Sequence, residues 1–171
     1  MGRSTFLKKA IEVGVVTKRY PYTVVEVPDG FRGRPIIDGD KCIGCCACTA
    51  VCPPNALSAY EDDGYRIIRI FYGRCIFCGR CADVCPENAI SLTKEFELTT
   101  DDPNDLNYII KLKMVKCIIC GRYFDTERHL KKVIENMKEM GLEIDTDILM
   151  RCPEHRNLNN ASLIGLRREF K

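Results

Sequence analysis

Apolar and polar residues change their period several times along this chain, and each change marks an element. Phe6, Leu7, Ala10 and Ile11 recur at helical spacing, and Arg3, Lys8, Lys9, Lys18 and Arg19 face only Glu12. This predicts a short basic amphipathic helix within residues 1–19, capped by Ser4 or Thr5. Residues 20–40 carry Tyr20-Pro21, Pro28-Asp29-Gly30 and Phe31-Arg32-Gly33-Arg34-Pro35, a density of Pro and Gly that predicts an extended arm. Residues 65–71 read as a strand entered through the turn Asp62-Asp63-Gly64, with residues 56–60 as its hairpin partner. Ile90, Leu92, Phe96 and Leu98 predict another strand. An acidic segment over 99–107 reads as a linker. Tyr108, Ile110, Leu112 and Met114 alternate with Lys111 and Lys113, a strand pattern. Leu130, Val133, Ile134 and Met137 predict a helix over about 126–140, with Gly141 at its end. Leu163, Leu166 and Phe170 predict a last helix.

Cysteine placement gives this pattern a chemistry. Eight of the 12 cysteines form two copies of one spacing, Cys42-x2-Cys45-x2-Cys48-x3-Cys52-Pro53 and Cys75-x2-Cys78-x2-Cys81-x3-Cys85-Pro86, offset by 33 residues. The flanks repeat as well: Val51-Cys-Pro-Pro-Asn-Ala-Leu-Ser matches Val84-Cys-Pro-Glu-Asn-Ala-Ile-Ser. Soft thiolates at this spacing suit a pair of [4Fe–4S] clusters, and in the double pattern the last Cys of each run ligates the other cluster. The expected ligand sets are therefore Cys42, Cys45, Cys48 and Cys85 for one cluster, and Cys75, Cys78, Cys81 and Cys52 for the other. Gly44 and Ala47 allow the backbone close to the sulfurs, where N–H groups help set the potential. Pro53 and Pro86 turn the chain away after the crossing ligands. A disulfide framework is disfavoured by the metal-type spacing, and structural zinc does not call for a third cysteine two residues on. Cys46, between two ligands, is expected to point away from its cluster as a small buried apolar residue.

The remaining cysteines, Cys117, Cys120 and Cys152, combine with His155 into a Cys-x2-Cys knuckle and a distant Cys-x2-His. That donor set fits a closed, tetrahedral structural Zn²⁺. A third iron–sulfur cluster and a metal-free tail remain alternatives. A c-type haem is excluded because Gly121, not His, follows Cys120. His129, the competing histidine, is read as a surface residue.

Length and charge refine this picture. At 171 residues there is room for one domain, or for one small domain and an appendage. No apolar run approaches the roughly 20 residues of a membrane helix. Thiols kept for metal imply a reducing compartment. The formal charge is +2; two four-thiolate clusters and a zinc centre bring the loaded protein to about −3. That balance, without a concentrated basic patch, argues against nucleic acid as a partner. Neither a Gly-rich phosphate loop, a triad nor a dinucleotide fingerprint is present, so the chain is read as performing no bond chemistry by itself.

Together these predict an α+β fold: a bacterial-type two-[4Fe–4S] ferredoxin core over 41–98, an N-terminal helix and docking arm over 1–40, a linker over 99–107, and a small zinc-bound α/β extension over 108–171. The Tyr20-Pro21 and Phe31-Arg32-Gly33 arm, Gly73-Arg-Cys-Ile-Phe-Cys-Gly-Arg-Cys and Leu92-Thr-Lys-Glu-Phe-Glu-Leu resemble the two-cluster subunits of respiratory complex I and of group 4 membrane-bound [NiFe] hydrogenases. The resemblance covers about residues 1–100. The cysteine-bearing tail resembles the formate hydrogenlyase, or hydrogenase-4 component H, type, with His155 where such tails carry a last Cys. It implies an electron-transfer subunit that is peripheral on the cytoplasmic face of the cell membrane. Its implied partners are an upstream iron–sulfur donor, the [NiFe] small and large subunits and membrane subunits. A soluble two-cluster ferredoxin with an interaction tail is the alternative. The N-terminal helix fits either packing on its own domain or docking on a partner subunit or a membrane surface.

Overall fold

The computed structural model describes residues 3–142 and 145–156, and the chain divides into two compact units between Phe31 and Arg32. In the first unit, helix α1 spans Arg3–Val13. It begins before Ser4 and Thr5, so both lie inside its first turn and not at the cap position expected for them. Gly14, at φ 64°, closes it by donating to the Ala10 carbonyl at 3.1 Å. A turn in which the Thr23 N–H reaches the Arg19 carbonyl at 2.9 Å then leads into irregular chain.

The second unit contains, in order, β1 (Pro35–Ile37), α2 (Ala47–Ala50), β2 (Leu57–Asp62), β3 (Tyr65–Phe71), α3 (Arg80–Asp83), β4 (Ile90–Leu92), β5 (Asn107–Lys116), β6 (Tyr123–Thr126), α4 (Glu127–Glu139) and α5 (Thr146–Leu149). β1 and β4 form a two-stranded antiparallel sheet, and a second sheet runs β2-β3-β5-β6. The β2–β3 hairpin turns on Asp63 (φ 43°) and Gly64 (φ 78°). Two positive φ values give the turn whose twist matches antiparallel strands, and Asp-Gly is a pair that adopts it readily.

Several elements differ from the pattern reading. β1 lies in the stretch read as arm, because Ile37 is apolar enough to join the core and its strand pairs with β4. β4 stops at Leu92. Beyond it, pairing with the incoming chain turns irregular, with the Gly33 N–H on the Thr93 carbonyl and the Arg34 N–H on the Glu95 carbonyl, both at 2.8 Å. The acidic segment forms a 3-10 turn over Pro103–Leu106, capped by the Asp102 carboxylate, and feeds straight into β5. β5 then pairs with β3 from Phe71↔Asn107 to Tyr65↔Lys113, so one sheet runs through the position read as a linker. β6 and α5 had no clear periodic signal, being four residues each. α4 agrees with its prediction: Thr126 caps it by accepting the His129 N–H at 3.2 Å, and Gly141 (φ 71°) follows its end. The helix predicted at 163–170 lies outside the described residues.

Ile68 and Ile70 on β3 are almost fully buried and centre a core shared with Ile37, Leu57, Tyr72, Ile90 and Leu112. Cys48 and Cys81 belong to the same cluster. Two tyrosines tie β1 to the rest: Tyr72 donates to the Pro35 carbonyl and Tyr108 to the Ile37 carbonyl, each at 2.8 Å.

Candidate metal centres

Each cysteine run begins as a loop and ends in a short helix that carries its third cysteine, Cys48 on α2 and Cys81 on α3. Both loops need left-handed backbone at the same two places. In the first, Gly44 (φ 78°) and Cys46 (φ 61°) supply it; in the second, Phe77 (φ 52°) and Gly79 (φ 82°) do. One peptide N–H in each loop acts on a thiol of its own run: the Gly44 amide favours the Cys42 thiolate and the Phe77 amide the Cys75 thiolate, each against the burial that pushes the thiol up. The crossing cysteines are treated alike. Ala56 N–H donates to Cys52 Sγ at 3.3 Å and Ala89 N–H to Cys85 Sγ at 3.2 Å. The turns that permit these bonds place Asn55 and Asn88 at φ 50° and 48°, and Asn tolerates that region better than other side chains.

Two cavities result. One is lined by Cys42, Cys45, Cys48 and Cys85 with Ile37, Ile43 and Ile90 among its walls. The other is lined by Cys52, Cys75, Cys78 and Cys81 with Leu57, Ile70 and Leu92. Each draws three cysteines from one run and one from the other. Cys46 lines neither; its Sγ lies 3.4 Å from the Gly44 carbonyl, beside an outer groove with Thr49 and Arg66. Burial pushes the Cys48 thiol up to about 12 and the Cys81 thiol up to about 11, and neighbouring sulfurs add to both shifts. Burial therefore disfavours a free thiolate at Cys42 and Cys48 in one cavity, and at Cys75 and Cys81 in the other, without a cation beside it. Four thiols and amide donors in a dry pocket fit an iron–sulfur cube, which supplies that positive charge.

Cys117, Cys120, Cys152 and His155 also converge, with ligand atoms all within 4.8 Å of one another. Cys120 Sγ lies 3.9 Å from Cys152 Sγ, and His155 Nδ1 lies 3.1 Å from Cys152 Sγ and 3.7 Å from Cys117 Sγ. A disulfide needs sulfurs about 2 Å apart; tetrahedral zinc with Zn–S near 2.3 Å places its sulfurs about 3.8 Å apart. The end of β5 positions Cys117, whose N–H donates to the Arg122 carbonyl at 2.8 Å, while Ile118 N–H reaches the Met150 carbonyl at 3.1 Å and ties the two halves together. Arg122 pairs with Glu154 across the same junction. Burial opposes a thiolate at Cys117, but amide donors from Cys120, Cys152 and Ile119 outweigh it and hold the thiol down at about 5. His129 is elsewhere, half-buried, with Nδ1 2.8 Å from the Asp125 carboxylate.

Crossed four-cysteine cavities in a ferredoxin-like α+β core define a two-cluster iron–sulfur protein. A model of the 4Fe-4S dicluster domain matches residues 35–92, and a second matches residues 74–122. Formate hydrogenlyase subunit 6 of Escherichia coli (strain K12) is 38% identical over 155 residues, covering 88% of this chain and 86% of that protein; this chain belongs to its family. The chloroplastic NAD(P)H-quinone oxidoreductase subunit I of Pelargonium hortorum is 50% identical over 100 residues, or 54% of this chain and 60% of that protein. The Hordeum vulgare protein is 44% identical over 116 residues, with 63% and 64% covered, so the chain spans under two thirds of these plastid relatives. A chain from the structure of the membrane-bound sulfane sulfur reductase, an archaeal respiratory membrane complex, aligns at 33% identity and a TM-score of 0.46 over 60% of this chain and 56% of its own.

Proposed function

We propose that this chain relays single electrons through two [4Fe–4S] clusters, as a subunit between an upstream iron–sulfur donor and the [NiFe] small subunit of a membrane-bound hydrogenase or formate hydrogenlyase. Cys42, Cys45, Cys48 and Cys85 hold one cluster; Cys75, Cys78, Cys81 and Cys52 hold the other. The observation that carries this reading is the pair of cavities, each lined by four cysteines from both runs, in a chain of the formate hydrogenlyase subunit 6 family. The clusters supply one-electron chemistry when bound. The protein keeps them dry, donates amide hydrogen bonds to their thiolates, and holds both in one unit through the exchanged cysteines.

The tail cysteines and His155 hold a structural Zn²⁺ that fixes the end of β5 to the segment after α5. The chain sits on the cytoplasmic face of the membrane through partner subunits, the large and membrane subunits among them; among the described residues, no helix is long and apolar enough to cross a membrane. Purification under anaerobic, native conditions tests the whole reading. The expected result is about eight irons and about one zinc per chain, clusters that reduce reversibly, and hydrogenase-type subunits in the same complex. A soluble monomer without such partners would overturn the relay between subunits, and a zinc-free holoprotein would remove the third centre.

A further inference from the structure

The repeat makes the two cluster loops near copies, but only one carries Gly at its first left-handed position. A Cβ on Gly44 would lie 2.7 Å from Thr126 Cγ2 and 2.9 Å from Leu112 Cδ1. Both atoms belong to strands that follow the repeat, so the downstream sheet presses on the first loop at the place where the second carries Phe77. Thr126 is fully buried there. Its hydroxyl donates to the Ile43 carbonyl, and its oxygen accepts the His129 N–H. The next carbonyl, that of Gly44, accepts from the Arg66 guanidinium at 3.0 Å. Arg66, with 14% of its side chain exposed, is itself held by Asp125 at 3.3 Å, by Glu61 at 2.9 Å and by the Phe124 carbonyl at 3.3 Å. α4 extends the grip: Arg128 donates to the Gly39 carbonyl and pairs with Asp40, and Lys132 reaches Glu87 at 3.4 Å. The second loop is held differently, with Arg32 on the Cys78 carbonyl at 3.1 Å.

A planar trans peptide points its N–H opposite to its C=O. Holding the Ile43 carbonyl against Thr126 therefore directs the Gly44 N–H away from Thr126, and the Gly44 amide favours the Cys42 thiolate. Holding the Gly44 carbonyl on Arg66 aims the Cys45 N–H in the same sense. A donor on the carbonyl also polarises the peptide and strengthens its N–H as a donor. Hydrogen bonds to the thiolates favour the reduced, more negative cluster and raise its potential.

We propose that Thr126, with Arg66 behind it, is a positioning residue for the first cluster: it fixes the Ile43–Gly44 peptide and raises that cluster's reduction potential above the value the repeat alone would give. The proposal rests on the ligand reading above.

The test is an EPR-monitored redox titration of the holoprotein, with the first cluster's signal assigned by its loss in Cys45→Ser. Thr126→Val removes the hydroxyl while keeping the shape. It is expected to shift the first potential negative by about a tenfold change in the one-electron equilibrium, about 59 mV, and to leave the second potential in place. Thr126→Ser, which keeps the donor, is expected to restore it. If Thr126→Val loses the first cluster, Arg66→Lys carries the same test, with a smaller shift of the same sign. Unchanged potentials with both signals present, or equal shifts in both, overturn the proposal, as does a Thr126→Ser protein that behaves like Thr126→Val. Fewer than about eight irons in the unsubstituted chain would instead overturn the ligand reading.

Discussion

Glycine does different work at the left-handed positions of the two loops. At Gly79 the backbone alone demands it: φ is 82°, and a Cβ would meet Leu92 Cδ1 at 3.2 Å, a contact that a flexible side chain can relieve. At Gly44 the backbone demand (φ 78°) coincides with close approach by Thr126 and Leu112 from the packed sheet, which can give little. Cys46 and Phe77 occupy the complementary left-handed positions, so a side chain is tolerated wherever the loop faces open space or its own cavity. Gly44→Ala is therefore expected to destabilise the holoprotein by about 1–3 kcal/mol, and Gly79→Ala by less. Thermal bleaching of the cluster absorbance, followed for both variants side by side, checks this. Equal losses would show that the sheet does not press on the first loop.

Among the elements, those that carry long apolar periods were legible from sequence and those fixed by pairing or metal were not. β3 is an apolar-rich run of seven residues and β5, of ten, alternates Ile110, Leu112 and Met114 with Lys111 and Lys113, and α4 repeats Leu130, Val133, Ile134 and Met137 over more than two turns. β1 and β6 have three and four residues, too few for a period to register, and each owes its place to a partner strand. The cysteines at the three centres were legible because ligand spacing is a chemical constraint written along the chain. Thr126 and Arg66 were not, since they act through carbonyls 83 and 22 residues away; the glycine at position 44 was their one trace. β6 also shows what the tail centre does for the fold. It is held on one side by β5 through Met114↔Thr126 and Val115↔Asp125, with a register shift at Val115/Lys116 just before Cys117. A short strand beside an irregularity depends on its end being fixed. Cys117→Ser is expected to lose the zinc proposed for this centre and to speed amide exchange across β6 and the first turn of α4, while iron remains at about eight per chain. Hydrogen exchange by mass spectrometry, paired with metal analysis, reads this; unchanged exchange after zinc loss would show that the centre does not support β6.

In the whole second unit, one sheet breaks the symmetry that the repeat creates. The cysteine runs, their short helices and their crossing turns are paired; β5, β6 and α4 lie on the first loop and, among the described residues, have no counterpart at the second. The second loop keeps Ile76 61% exposed, while the first leaves Cys45 exposed, so the two loops differ in what packs on them and not in a simple order of burial. The exchanged cysteines keep this asymmetric pair together, since each cavity needs a thiol that arrives at the end of the other run. That arrangement predicts a specific cross-effect. Cys52→Ser, a change in the first run, is expected to damage the cluster held by Cys75, Cys78 and Cys81, taking iron from about eight toward about four per chain and leaving the first cluster's signal and potential in place. Loss confined to the first cluster would mean that each run closes on its own cysteines. The two cavities would then be independent, and the clamp at Thr126 would act on a cluster held by the first run alone.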